Sequence, residues 1–169
     1  YKSAQVDQVY FPQIEVVGDI ALSVDALVDA LGSRLDLDLQ DFEKVRDNVK
    51  AEIFQLDDEP VFPMRPPIIV SEIRNLMGYH DIIALDNGVY KIWFARNYPA
   101  FQPNTILLDN ALATMGAGLP SAMLAAMIYP NRKVMSICGD GGFMMNSQEI
   151  ETAVRLNLNM VVLILNDSS

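Results

Sequence analysis

At 169 residues, 51% hydrophobic and 20% charged, the chain has the composition of a globular protein with room for one good core and some flanking material. A net charge of -10 and the lack of any run of Lys or Arg argue against nucleic acid and anionic membrane as partners, since both need a basic surface. One cysteine, Cys138, rules out a disulfide framework and favours a reducing, cytoplasmic compartment; no signal-peptide pattern or bilayer-length apolar stretch is present.

In chain order, Gln13 to Ile20 reads as a short strand and Ser23 to Leu31 as a helix, with Ala26, Leu27, Ala30 and Leu31 at helical spacing and Gly32 ending it. From Leu35 to about Asp58 the pattern is amphipathic, with Phe42, Val45, Val49, Ile53 and Phe54 on one stripe. The Pro-rich Glu59 to Pro67 follows, which places a domain boundary near residue 65. Beyond it, helices are expected over Ile68–Met77, Pro120–Ile128 and Ser147–Leu156. Strands are expected over Ile82–Leu85, Thr105–Leu108, Val134–Cys138 and Met160–Leu165. Strands that are apolar throughout and separated by helices predict an α/β fold, a parallel sheet covered on both faces. The start at Tyr1 and the stop at Ser169, directly after an apolar strand, read as the ends of a piece of a longer protein.

The chemistry concentrates between Val134 and Ser169. One strand runs into Gly139-Asp140-Gly141-Gly142, a helix follows, with Asn146 and Glu149 spaced as a capping box, and the next strand ends in Asn166-Asp167. A helix of about 10 residues rises about 15 Å, close to one strand length, so the chain returns and both acids fall at the carboxyl edge of the sheet, where open α/β sheets bind ligands. Glycines around an acid let backbone N–H groups approach an anion such as phosphate. Yet Val134 to Val154 contains no Lys or Arg, and a carboxylate beside a phosphate is repulsive without a cation between them. Mg²⁺ meets that need, with Asp140 and Asp167 as its charged ligands. A lone Gly-Asp-Gly is more often an ordinary strand-to-helix turn with an acidic residue near a helix start. A Rossmann fingerprint lacks its third glycine here, and a Walker loop its Lys and Ser/Thr.

Gly139-Asp140-Gly141, then 24 residues, then Asn166-Asp167 resembles the thiamine diphosphate signature, and the match extends to the acetolactate synthase type of this enzyme family. The resemblance implies a doubly wound thiamine diphosphate-binding fold with helices on both faces, incomplete here, in which Asp140, Asp167 and the carbonyl of Ser169 hold Mg²⁺. Asp167 in place of the commoner Asn resembles a variant of catabolic-type acetolactate synthases, and the added charge implies tighter, more pH-sensitive metal binding. Leu112 to Pro120 resembles the segment where a bulky side chain bends the cofactor. That role falls to Met115, and the carbonyl of Ala113 would accept the cofactor's 4'-amino group. Asp86 to Trp93 resembles the segment that touches the diphosphate, but Val89 and Tyr90 replace the family's polar pair, so Gly88 and the N–H groups of Val89 and Tyr90 are carried over instead. For Tyr90 and Trp93 the alternative is helix-to-sheet packing, and His80 reads as surface.

The resemblance covers residues 67–169 strongly and 1–35 more loosely. It implies a tail of a central domain (1–35), a linker with an amphipathic helix (36–66) and a truncated C-terminal domain binding thiamine diphosphate and Mg²⁺ (67–169). The implied parent is a decarboxylase and carboligase acting on a small 2-oxo acid such as pyruvate, a homodimer or homotetramer, with its activating glutamate in a pyrimidine-binding domain outside this chain. Glyoxylate carboligase and benzoylformate decarboxylase share the architecture, and a non-catalytic relic of the fold is the reading from another class.

Overall fold

The computed structural model describes residues 13–32, 37–53 and 62–167. The expectations for Leu35, for 54–60 and for Ser169 lie outside these residues. The chain divides into two compact units, Tyr1–Asp47 and Asn48–Ser169.

In the first unit, α1 spans Ile20–Leu31. Residues 13–19 form no strand, contrary to expectation. The reason is local: Asp19 adopts an extended conformation and its carboxylate accepts the Leu22 N–H at 3.0 Å, which starts a helix at Ile20. The helix ends where Gly32, at φ +52°, donates its N–H to the Val28 carbonyl. The amphipathic stripe forms α2, Gln40–Ile53, which begins in the first unit and runs past its last residue, Asp47, with Asp41 and Glu43 in its first turn and Lys50 in its last, complementing the helix dipole.

The second unit carries, in order, α3 (Pro66–Leu76), β1 (Ile82–Leu85), α4 (Tyr90–Asn97), β2 (Ile106–Leu108), α5 (Gly118–Ile128), β3 (Val134–Gly139), α6 (Asp140–Asn146), α7 (Glu149–Arg155) and β4 (Val161–Leu165). Among the described residues the four strands form one parallel sheet in the order β2-β1-β3-β4. Successive residues of β1 and β3 point to opposite faces. Ile83, Leu85 and Ile137 pack on one side with Val70 and Ile73 of α3 and Phe94 of α4. Ile82, Ala84 and Val134 pack on the other with Ala122, Ala125 and Ala126 of α5, while Cys138 meets Leu119, Met123 and Ala153 of α7. Helices therefore cover both faces, which is the doubly wound α/β arrangement. Burying side chains such as Ile83, Ile137 and Phe94, each at most 1% exposed, contributes about 1.5–3 kcal/mol apiece. No helix of the described residues is long and apolar enough to cross a membrane.

The chain goes outward from β1 to β2, then crosses back to β3 and β4. That reversal places a topological switch point between the carboxyl ends of β1 and β3.

Candidate functional site

Two dipeptides leave the sheet at the switch point: Asp86-Asn87 after β1, and Gly139-Asp140 at the end of β3. Across the β3–β4 pair Gly139 lies opposite Leu165, so Asn166 and Asp167 emerge beside Asp140 at the same edge, although the chain returns through two short helices, α6 and α7, and not through one of about 10 residues. Asp140 does not stand on a loop. It is the first residue of α6, a helix that the sequence pattern does not show because two of its first three residues are glycines.

A cavity of about 430 Å³ opens here. Its lining includes Asn87, Gly88, Val89, Tyr90, Gly139, Asp140, Gly141, Gly142, Asn166 and Asp167, together with apolar side chains that include Ile69, Trp93, Phe94 and Met115. The structure thus brings together all the expected site residues except two. Ala113 stands two residues before Met115 on the same loop, outside the cavity lining, and Ser169 lies beyond the described residues. Asp140, Met115 and Asp167 are exposed. His80 is exposed as well, and Cys138 is fully buried.

Gly139 and the two glycines in the first turn of α6 have protein neighbours as well as the cavity. A Cβ on Gly139 would stand 3.1 Å from the Tyr90 ring, one on Gly141 would stand 3.4 Å from Met115 Cε, and one on Gly142 would collide with Asp86 Oδ2. Gly142 is therefore small because a buried carboxylate occupies its side-chain space, a cause that motif reading does not supply. The expected capping box is also absent. Asn146 closes α6, Gln148 precedes α7 without a side-chain cap, and Asn146 Nδ2 instead donates to the Gly116 carbonyl at 2.6 Å.

The loop 109–117, which presents Met115, is built from unusual backbone. Ala113 lies at φ +50° and Gly116 at φ +86°, and a left-handed non-glycine residue costs about 1–2 kcal/mol. Asp109 offsets this by accepting the N–H groups of Ala111 (3.2 Å) and Thr114 (3.3 Å), and these backbone donors hold its carboxyl below the usual range. Lys91 donates to the Asp109 carbonyl and to Asn87 Oδ1, so its ammonium is spent on the loop. No Lys or Arg is among the residues lining the cavity. The Tyr90 hydroxyl is buried without a well-formed hydrogen bond among the described residues. Burial drives its pKa well up, against a smaller opposing pull from the Gly139 backbone.

Residues 86–169 match the family described as thiamine pyrophosphate enzyme, C-terminal TPP binding domain. The chain belongs to the thiamine pyrophosphate enzyme family. It is 32% identical to an acetolactate synthase of Bacillus subtilis over 98% of this chain and 30% of that protein. It is 35% identical to the catabolic acetolactate synthase of Raoultella terrigena, over 92% of this chain and 28% of that protein. With the large subunit of acetolactate synthase isozyme 1 from Escherichia coli it shares 41% identity over 60% of this chain and 18% of that protein. The chain thus spans under a third of the length of these relatives.

The cavity suits the thiamine pyrophosphate that gives the family its name. Its volume falls in the small-molecule range, its apolar side chains suit an aromatic ring system, and its carboxylates offer hard oxygen donors beside close-approach backbone. The segments flanking this site are the ones on which the resemblance rested: Asp86 to Trp93, Leu112 to Pro120, and Gly139 to Asp167.

Proposed function

We propose that this chain provides the diphosphate- and metal-holding part of a thiamine diphosphate-dependent 2-oxo acid decarboxylase and carboligase, of the acetolactate synthase type. The observation that carries the proposal is the meeting of Asp140 and Asp167 at one edge of the sheet, in a cavity that Met115 also lines. Two carboxylates facing a diphosphate need a cation, and Mg²⁺ takes one or two carboxylates with phosphate and water oxygens. Among the described residues no third His, Cys, Asp or Glu joins them, which suits a metal that takes its remaining ligands from backbone, water and substrate rather than from an all-protein cage. In this reading the Ser169 carbonyl completes the protein's share.

Gly88, the N–H groups of Val89 and Tyr90, and the glycines 139, 141 and 142 approach the diphosphate. Met115 supports the bent cofactor, and the Ala113 carbonyl receives its amino group. The bound cofactor supplies the electron sink for decarboxylation, while the protein supplies placement and electrostatics. The parent enzyme joins the two-carbon unit of pyruvate to a second 2-oxo acid, works in the cytoplasm and assembles as a homodimer or homotetramer. Residues 1–35 close its central domain and 36–66 lead into the cofactor domain. The supporting comparison is the shared identity with acetolactate synthases across most of this chain.

The test is product analysis of the enzyme that carries this chain, supplied with pyruvate, Mg²⁺ and thiamine diphosphate. Accumulation of 2-acetolactate is expected. Release of the aldehyde alone would assign a simple decarboxylase, and no consumption of pyruvate would assign the fold without the chemistry.

A further inference from the structure

Asp86 is fully buried at the carboxyl end of β1, and sequence reading gives it no task of its own. Its Oδ1 accepts the N–H groups of Asn87 (2.8 Å) and Ala117 (3.1 Å), and its Oδ2 accepts the Gly116 N–H at 3.0 Å. Two glycines make room for it. A Cβ on Gly118 would stand 2.7 Å from Asp86 Cβ and 2.8 Å from Asp86 N, and one on Gly142 would overlap Oδ2. Asp86 therefore touches the Met115 loop, the start of α5 and the first turn of α6.

Its neighbour extends the hold. Asn87, 8% exposed, donates from Nδ2 to the Thr114 carbonyl at 2.7 Å, and Asn146 donates to the Gly116 carbonyl from the end of α6. Residues 114, 116 and 117 are thus each tied down, and between them only the Met115 side chain is left to project, 45% exposed, into the cavity. The three bonds accepted by the Asp86 carboxylate belong to the stronger, charge-assisted class, while those from the Asn87 and Asn146 amides are neutral.

We propose that Asp86 is a positioning residue that fixes the Met115 loop against the first turn of α6 and so sets where the Met115 side chain stands relative to Asp140 and Gly141 in the cofactor cavity. The inference rests on the functional reading above in taking that cavity as the cofactor site. Asp86 touches no bound group; it acts through Gly116, Ala117 and Gly142. The replacement Asp86→Asn keeps the shape but offers one acceptor oxygen where two are used, leaving an amide NH₂ against one of the loop N–H groups.

Two readouts on the chain test this. Amide hydrogen exchange without cofactor should show Gly116 and Ala117 losing protection about tenfold or more in Asp86→Asn, while Ile83 and Ile137 in the sheet stay within about twofold of wild type. Titration with thiamine diphosphate and MgCl₂, followed by emission of Trp93, the sole tryptophan and a cavity-lining residue, should show about tenfold weaker binding. Gly142→Ala, which presses on the same carboxylate, should reproduce both effects and should cost less in an Asp86→Ala background, where the obstacle is gone. Unchanged exchange at Gly116 and Ala117 in both Asp86→Asn and Gly142→Ala would overturn the proposal, as would a uniform loss of protection across the sheet. Failure of the wild-type chain to bind thiamine diphosphate would instead strike the functional reading, and the exchange data would still judge the clamp.

Discussion

Gly139 and Leu165 lie opposite each other across the parallel strands β3 and β4, and each is followed within two residues by an exposed aspartate. This register is what converts two acids separated by 26 residues of chain into one acidic edge. It depends on the apolar runs of both strands rather than on anything at the acids themselves, so the site and the core can be perturbed separately.

Asp140→Ala should show that separation. The side chain is exposed at the first position of α6, so the fold loses only a favourable charge at a helix start, about 0.3–1 kcal/mol. Cofactor binding in Mg²⁺ should fall by a hundredfold or more on the order-of-magnitude scale of a lost charged ligand. Urea unfolding and thiamine diphosphate titration of the same preparation check both halves. A variant that binds as wild type would show that Asp140 holds no metal.

Gly118→Ala should do the reverse, damaging the fold through Asp86. The added methyl meets the Asp86 backbone N at 2.8 Å and Cα at 3.0 Å, atoms that cannot move without shifting the end of β1. Overpacking of this kind costs about 1–3 kcal/mol. Gly141→Ala is the control, since its methyl meets only Met115 Cε at 3.4 Å. Equal unfolding midpoints for the two variants would contradict the packing account.

Cys138 should make the fold sensitive to alkali. Burial, first of all, raises its pKa; the nearby Asp86 charge adds to this, and the Ser136 hydroxyl, whose oxygen lies 3.1 Å from the sulfur, works against it. The unfolded chain therefore ionises the thiol first, at about pH 8.5, while the folded chain still holds its proton. Stability from this group is fully present below that pH and is lost as pH rises towards the folded pKa. Chemical unfolding at pH 7.5 and 9.5 should show a decline in the wild type that is smaller in Cys138→Ala, and equal declines would contradict the assignment.

The sheet was legible in the sequence because β1 and β4 are unbroken apolar runs and β3 is broken only by Ser136, the pattern of a parallel strand covered on both faces. The acidic edge followed from the strand and helix lengths. Local hydrogen bonding escaped that reasoning: Asp19 turns an alternating segment into the start of a helix, and Asn146, spaced as a cap, spends its amide on Gly116. The largest omission was Asp86. Its importance lies in contacts with Gly116, Ala117, Gly118 and Gly142, about 30 to 56 residues away in sequence, and no local spacing encodes them. The one available signal was a charged residue directly after a fully apolar strand, where a buried polar group must find donors.

The central claim is that Asp140 and Asp167 hold the diphosphate through a divalent cation. The most direct measurement is calorimetric titration of the chain with thiamine diphosphate, once in MgCl₂ and once in EDTA. At about 4 Å separation and an effective dielectric constant near 20, each uncompensated charge pair costs about 4 kcal/mol, so removal of the metal should be decisive. The account predicts binding in Mg²⁺ and loss of at least about a hundredfold in EDTA. Equal affinity in the two buffers would contradict it.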